Sequence, residues 1–126
     1  MKRTFFSLAL LLAVATLTAQ TKMTAREAAV KIADRILAST TYEFKNTKTG
    51  ETYKSVKKLP LDMDVKVACK YNNWHYTNGV TNMALMELGD KLGDKKYEKY
   101  VLKNMNFVFN EGNLDFFRKQ YDEAFK

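Results

Sequence analysis

Apolar residues recur at helical spacing along several stretches of this chain. Ala25, Ala28, Ala29, Ile32, Ile36 and Leu37 do so through about Ser39, with Lys31, Asp34 and Arg35 on the other side. This spacing predicts an amphipathic helix. Thr24 followed three residues later by Glu27 is a capping box and marks its start. From Asn78 onward Val80, Met83, Ala84, Leu88 and Leu92 fall on one stripe, widened by Leu85. Gly93 supplies a left-handed helix end, and Asp94 caps the next helix. That second arm carries Tyr97, Tyr100, Val101, Met105 and Val108 on one face, and Lys95, Lys96, Glu98, Lys99 and Lys103 on the other. So short a joint forces the arms antiparallel, giving an αα-hairpin. Gly89 inside the first arm costs about 1 kcal/mol relative to alanine. Close approach of a neighbouring helix would explain it. Asn113 opens a further helix, with Leu114, Phe117, Tyr121 and Phe125 facing the core and Phe116 widening the stripe.

The stretch 40–73 follows a different rhythm. Tyr42, Phe44, Tyr53 and Val56 alternate with polar neighbours around Asn46-Thr47-Lys48-Thr49-Gly50. That pattern fits a short β-hairpin or an ordered loop. Pro60 breaks it, and Val65, Val67 and Cys69 alternate again as a short extended piece. Seven lysines between Lys45 and Lys70 make this the basic part of the chain, a pattern read first as a solvated loop.

The N-terminus changes the picture of where the protein works. Lys2 and Arg3 precede an apolar run from Phe5 to Ala15, and Leu17-Thr18-Ala19 offers a cleavage point before Gln20. The run is too short for a membrane span and reads as a signal peptide over residues 1–19. Residues 20–126 are then the mature chain, expected in the periplasm or the medium, with no stable membrane anchor. Losing Lys2 and Arg3 lowers the formal charge from +7 to +5. That mild excess suits an acidic ligand such as a uronic-acid sugar, and a solvated surface explains it equally well. It falls short of a nucleic-acid-binding protein, so no nucleic-acid partner is expected. The single Cys69 cannot form an internal disulfide and is expected as a small buried hydrophobe. With one cysteine and one histidine, His75, no metal site is expected. No cofactor is implied.

Candidate chemistry concentrates in Trp74-His75-Tyr76-Thr77-Asn78-Gly79-Val80, which sets aromatics, an amide and a glycine before the helical hairpin. Aromatic faces stack on the apolar faces of sugars, and a carboxamide both donates and accepts hydrogen bonds. Together with Ala84-Leu85, Leu88, Gly93-Asp94-Lys95-Lys96-Tyr97 and Tyr100, this run resembles the first helical hairpin of the unsaturated rhamnogalacturonyl hydrolases. These form glycoside hydrolase family 105, related to the unsaturated glucuronyl hydrolases of family 88. The resemblance implies an all-α fold, the opening hairpins of an (α/α)6 barrel. It implies an oligosaccharide substrate with a terminal unsaturated uronic acid. In that family an aspartic acid protonates C4 of the C4=C5 double bond, water adds at C5, and the hemiketal rearranges to release the neighbouring sugar. The resemblance carries over a pocket wall of Trp74, Tyr76 and Asn78, while the catalytic aspartates are expected downstream of Lys126. Asp90, Asp94, Asp115 and Asp122 are given no catalytic role, and His75 is read as a neighbour only.

The chain is therefore expected to be an N-terminal fragment whose broad apolar faces await the further hairpins of the same domain. Rival readings remain open at this point. A tetratricopeptide-like binding module would share Leu88-Gly89, Gly93-Asp94 and Tyr97, although such arrays repeat about every 34 residues and Lys54-Ser55 breaks that period. Another (α/α)6 carbohydrate-active protein would keep the fold and change the substrate. A complete small exported binding protein would hold its ligand between helices.

Overall fold

The computed structural model describes residues 23–126, so the expected signal peptide lies outside the described residues. The element order is α1 (Ala25–Ser39), β1 (Phe44–Asn46), β2 (Thr52–Tyr53), β3 (Val65–Val67), α2 (Tyr76–Leu92), α3 (Lys95–Val108) and α4 (Glu111–Ala124). The described chain is mostly helical with a small sheet of strand order β2-β1-β3. No helix among the described residues is long and apolar enough to cross a membrane.

The helix ends follow local chemistry. The Thr24 amide donates to Glu27 Oε2 at 2.8 Å, and the Glu27 amide donates to Thr24 Oγ1 at 3.2 Å. The expected capping box therefore closes both ways. Gly93 adopts φ 67°, and the Asp94 amide reaches back to the Gly89 carbonyl at 3.0 Å. Asp94 then caps α3 by accepting from the Lys96 amide at 3.0 Å. The fourth helix starts earlier than its sequence suggests. Asn110, not Asn113, is its cap, accepting from the amides of Gly112 and Asn113 at 3.0 and 3.3 Å.

The 40–73 stretch builds more than a hairpin. Asn46 Oδ1 accepts from the amides of Lys48 and Thr49 at 2.9 and 3.1 Å, and Gly50 takes φ 78°. This Asx turn reverses the chain and pairs β1 with β2. The expected extended piece forms as β3, and its pairing is what the sequence did not announce: it lies antiparallel on the other edge of β1 and matches Phe44 with Val67. Strands this short need a covering helix. Helix α4 supplies it: the Gln120 carboxamide donates to the Val65 carbonyl at 2.9 Å and also to that of Asp62.

Two hydrophobic clusters result. Ala33, Leu85, Tyr97, Tyr100 and Val101 join α1 to the α2–α3 hairpin. Phe44, Val65 and Phe116 join the sheet to α4, with Phe107 and Phe117 packed against them. Cys69 is buried and free, as expected. Two stripes are displaced from their expected faces. In α2 the buried positions are Asn78, Asn82, Leu85 and Gly89, while Val80 and Met83 are 61% and 74% exposed. In α4 the buried positions are Asn113, Phe116 and Gln120, and Leu114, Tyr121 and Phe125 stand toward solvent. In both helices a carboxamide occupies an inward position because it can satisfy a loop carbonyl there, which an aliphatic side chain cannot do.

Helix α1 is also held by a polar contact. The Tyr97 hydroxyl donates to Asp34 Oδ1 at 2.9 Å, and Lys96 Nζ lies 2.8 Å from the same oxygen. The Lys96 ammonium first, and then the Tyr97 hydroxyl, hold the Asp34 carboxyl below its ordinary pKa of 3.8. A depressed carboxylate contributes stability above its unfolded pKa and loses it as pH falls through the folded value. Asp34→Asn is expected to cost about 1 kcal/mol or less at pH 7, this pair being solvent-exposed. It is also expected to flatten the decline of the melting temperature below pH 3.8. Gly89→Ala gives a sharper test of packing. A Cβ there would meet the Asp94 carbonyl oxygen at 3.2 Å and Tyr97 Cβ at 3.3 Å, atoms fixed by the Gly93–Asp94 joint. The propensity gain of about 1 kcal/mol is then outweighed by overpacking of about 1–3 kcal/mol. The melting temperature is expected to fall.

Candidate functional site

The segment 70–75 has no regular structure, and Asn78 fixes its path. Asn78 lies in the first turn of α2 with its side chain buried. Its Nδ2 donates to the Lys70 and Asn73 carbonyls, both at 3.0 Å. One carboxamide thus ties two turns of irregular backbone to a helix start. His75 is the N-cap: Nδ1 accepts from the Thr77 amide at 3.3 Å and lies 2.8 Å from Thr77 Oγ1. Tyr76 is consequently the first residue of α2 and not a residue in front of it.

With the segment so held, Trp74 and Tyr76 point outward and are 68% and 78% exposed. They stand on a cleft of about 410 Å³ whose lining includes Asn72, Asn78, Met105 and Phe109. The Trp74 indole meets the Phe109 ring edge-on, with centroids 5.4 Å apart. The Tyr76 ring lies 5.0 Å from the His75 ring. The cleft therefore joins the 70–75 segment, the start of α2 and the end of α3. Its walls are mostly apolar and aromatic, and its polar side chains are the carboxamides of Asn72, Asn73, Asn78 and Asn82 together with His75 and the tyrosine hydroxyls. No Asp or Glu is among its lining residues.

The three residues singled out from sequence thus line one cleft, with different duties. Trp74 and Tyr76 are free surfaces. The Nδ2 of Asn78 is committed to backbone carbonyls, so it builds the cleft and is not a free donor to a ligand. Asn72 and Phe109 were not foreseen. Asn72 belongs to a carboxamide doublet with Asn73 immediately before the aromatic run, a signal present in the sequence. Phe109 is brought in by the return of α3, which no local pattern near Trp74 announces.

The acidic residues go elsewhere. Asp94 caps α3, and Asp115 pairs with Arg118 and Lys119 at 2.8 and 2.6 Å. Asp115 therefore has partners that sequence alone did not show. Lys119 first, then Arg118, holds its carboxyl below the ordinary range. A larger concavity of about 520 Å³ lies between the end of α1 and residues 68–71, lined by Arg35, Ser39, Cys69 and Lys70 among others. Its polar groups are largely turned to structural use. The Ser39 hydroxyl donates to the Arg35 carbonyl at 2.7 Å, and the Cys69 sulfur accepts from the Tyr71 amide at 3.4 Å. The aromatic cleft is the better candidate because its exposed rings have no structural duty of comparable weight. Among the described residues no cluster of His, Cys, Asp and Glu could hold a metal ion.

Comparison with protein-family models, with characterised proteins and with solved structures finds no match to this chain.

Burial separates the roles of the cleft residues, and a denaturation series measures the separation. Asn78→Ala is expected to cost about 1–3 kcal/mol, since it leaves buried carbonyls without a donor. Trp74→Ala and Tyr76→Ala are expected to change stability by about 0.5 kcal/mol or less, as exposed side chains do.

Proposed function

We propose that the cleft beside Trp74 grips a saccharide, and that the chain is the N-terminal part of an exported helical glycoside hydrolase of the unsaturated uronyl type. The observation that carries this reading is the pair of large aromatic side chains left in solvent beside a carboxamide-floored cleft. Exposing an indole and a phenol ring forgoes burial that would each stabilise the fold by about 1.5–3 kcal/mol. A sugar ring recovers that burial, because its axial and equatorial C–H faces lie flat on an aromatic ring while its hydroxyls reach the polar floor.

In this reading the chain binds and orients the substrate, and proton delivery to the double bond falls to an aspartate that the cleft itself does not contain. Trp74 and Tyr76 hold the ring, and Asn78 keeps the 70–75 segment in place beneath it. A groove of about 380 Å³ between α1 and α2, lined by Ala29, Ile32, Val80 and Leu88 among others, agrees with helices that meet further hairpins of a toroid. The tetratricopeptide-like alternative would place a peptide there and leave the aromatic cleft without a role.

Trp74 is the only tryptophan, so its fluorescence reports on the cleft directly. Titrating residues 20–126 with an unsaturated rhamnogalacturonan disaccharide is expected to give a saturable change in emission. Tyr76→Ala is expected to weaken the apparent affinity by about tenfold, or roughly 1.4 kcal/mol. An emission spectrum unmoved by the sugar at millimolar concentration would remove the saccharide reading.

A further inference from the structure

Among the described residues, three buried side-chain polar atoms have no hydrogen-bond partner: the Tyr42 hydroxyl, Asn72 Oδ1 and Asn104 Oδ1. They belong to one neighbourhood. The Asn72 carboxamide donates to the Thr41 carbonyl at 2.7 Å, one residue from Tyr42. The Asn104 carboxamide donates to the Tyr71 carbonyl at 3.3 Å, one residue from Asn72. The Tyr42 ring meets Phe107 with centroids 5.5 Å apart and lies 4.2 Å from Lys103 Nζ, on either side of Asn104 along α3. The carboxamide orientations are fixed, because each Nδ2 faces a carbonyl oxygen that only a donor can satisfy. What the two asparagines leave over are therefore acceptors, and Tyr42 adds a donor.

We propose that Tyr42, Asn72 and Asn104 form a buried site for one water molecule, behind the floor of the aromatic cleft. The stoichiometry matches. A water accepts one hydrogen bond from Tyr42 and donates one to each asparagine oxygen, the coordination usual for buried water. Burial pushes the Tyr42 phenol up to about 12, so its hydroxyl remains a donor throughout the neutral range. Asn72 is 1% exposed and lines the aromatic cleft, so the site lies directly behind the cleft floor. The inference holds whether or not the cleft takes a saccharide.

Tyr42→Phe tests it, because the ring and its packing stay and only the hydroxyl goes. If that hydroxyl holds an oxygen shared with two asparagines, the melting temperature is expected to fall by about 4 °C or more, a shift appropriate to a domain of this size. A dry site gives the opposite sign, since deleting a buried hydroxyl without a partner leaves the melting temperature unchanged or raises it, and that result overturns the proposal. A crystal structure of the wild-type chain provides the second measurement. Expected is one ordered oxygen about 2.6–3.2 Å from all three atoms; density showing no such oxygen overturns the proposal even if the variant fails to fold.

Discussion

The constraint on which the rest depends is the satisfaction of loop carbonyls by buried carboxamides. Between β3 and α2 the chain runs without regular structure, and its carbonyl groups at Lys70, Tyr71 and Asn73 point inward. Asn78 takes two of them and Asn104 takes the third. A buried carbonyl left without a donor would cost about 1–3 kcal/mol, a large share of a small domain's total stability. Asn104 also donates to Asn82 at 3.1 Å, so the same network joins α2 to α3. The path of 70–75, the angle of the hairpin and the outward direction of Trp74 are consequences of one set of hydrogen bonds.

Two further carboxamides do the same around the sheet and α4. Gln120 of α4 holds the carbonyls of Asp62 and Val65, and Asn113 holds that of Phe107 at 2.9 Å. The sheet is too small to stand alone, and these bonds anchor it where Phe44 and Val65 can meet Phe116. Apolar packing supplies most of the driving force in both clusters, while the amides select which packing is reached.

This division explains what could be read from sequence. Element existence followed from periodicity and caps: the Thr24–Glu27 box, the Gly93–Asp94 joint and the broad extents of the helices all match. So does the reason for Gly89, since Tyr97 packs against it. The inward faces of α2 and α4 did not follow. A reading that sends aliphatic side chains inward chooses Val80, Met83 and Leu114, and has no reason to bury Asn78, Asn82 or Gln120. Asn78 and Gln120 are inward because of carbonyls that lie 5 to 58 positions away along the chain, and Asn82 because its oxygen accepts from Asn104, relations that a periodic pattern does not contain. The pairing of β3 with β1 is hidden for the same reason. Of the candidate site, Trp74, Tyr76 and Asn78 were legible because they adjoin one another, and the Asn72-Asn73 doublet beside them was a legible signal passed over, whereas Phe109 joins them only through the return of α3.

The central claim is that this network presents Trp74 and Tyr76 to solvent as a saccharide platform. A crystal structure of residues 20–126 with an unsaturated rhamnogalacturonan disaccharide tests it most directly. The expected result is a pyranose ring lying against the Trp74 indole or the Tyr76 ring, with Asn78 still bonded to the Lys70 and Asn73 carbonyls. Trp74 and Tyr76 folded back into the core, or the sugar bound at a site remote from both rings, would contradict it.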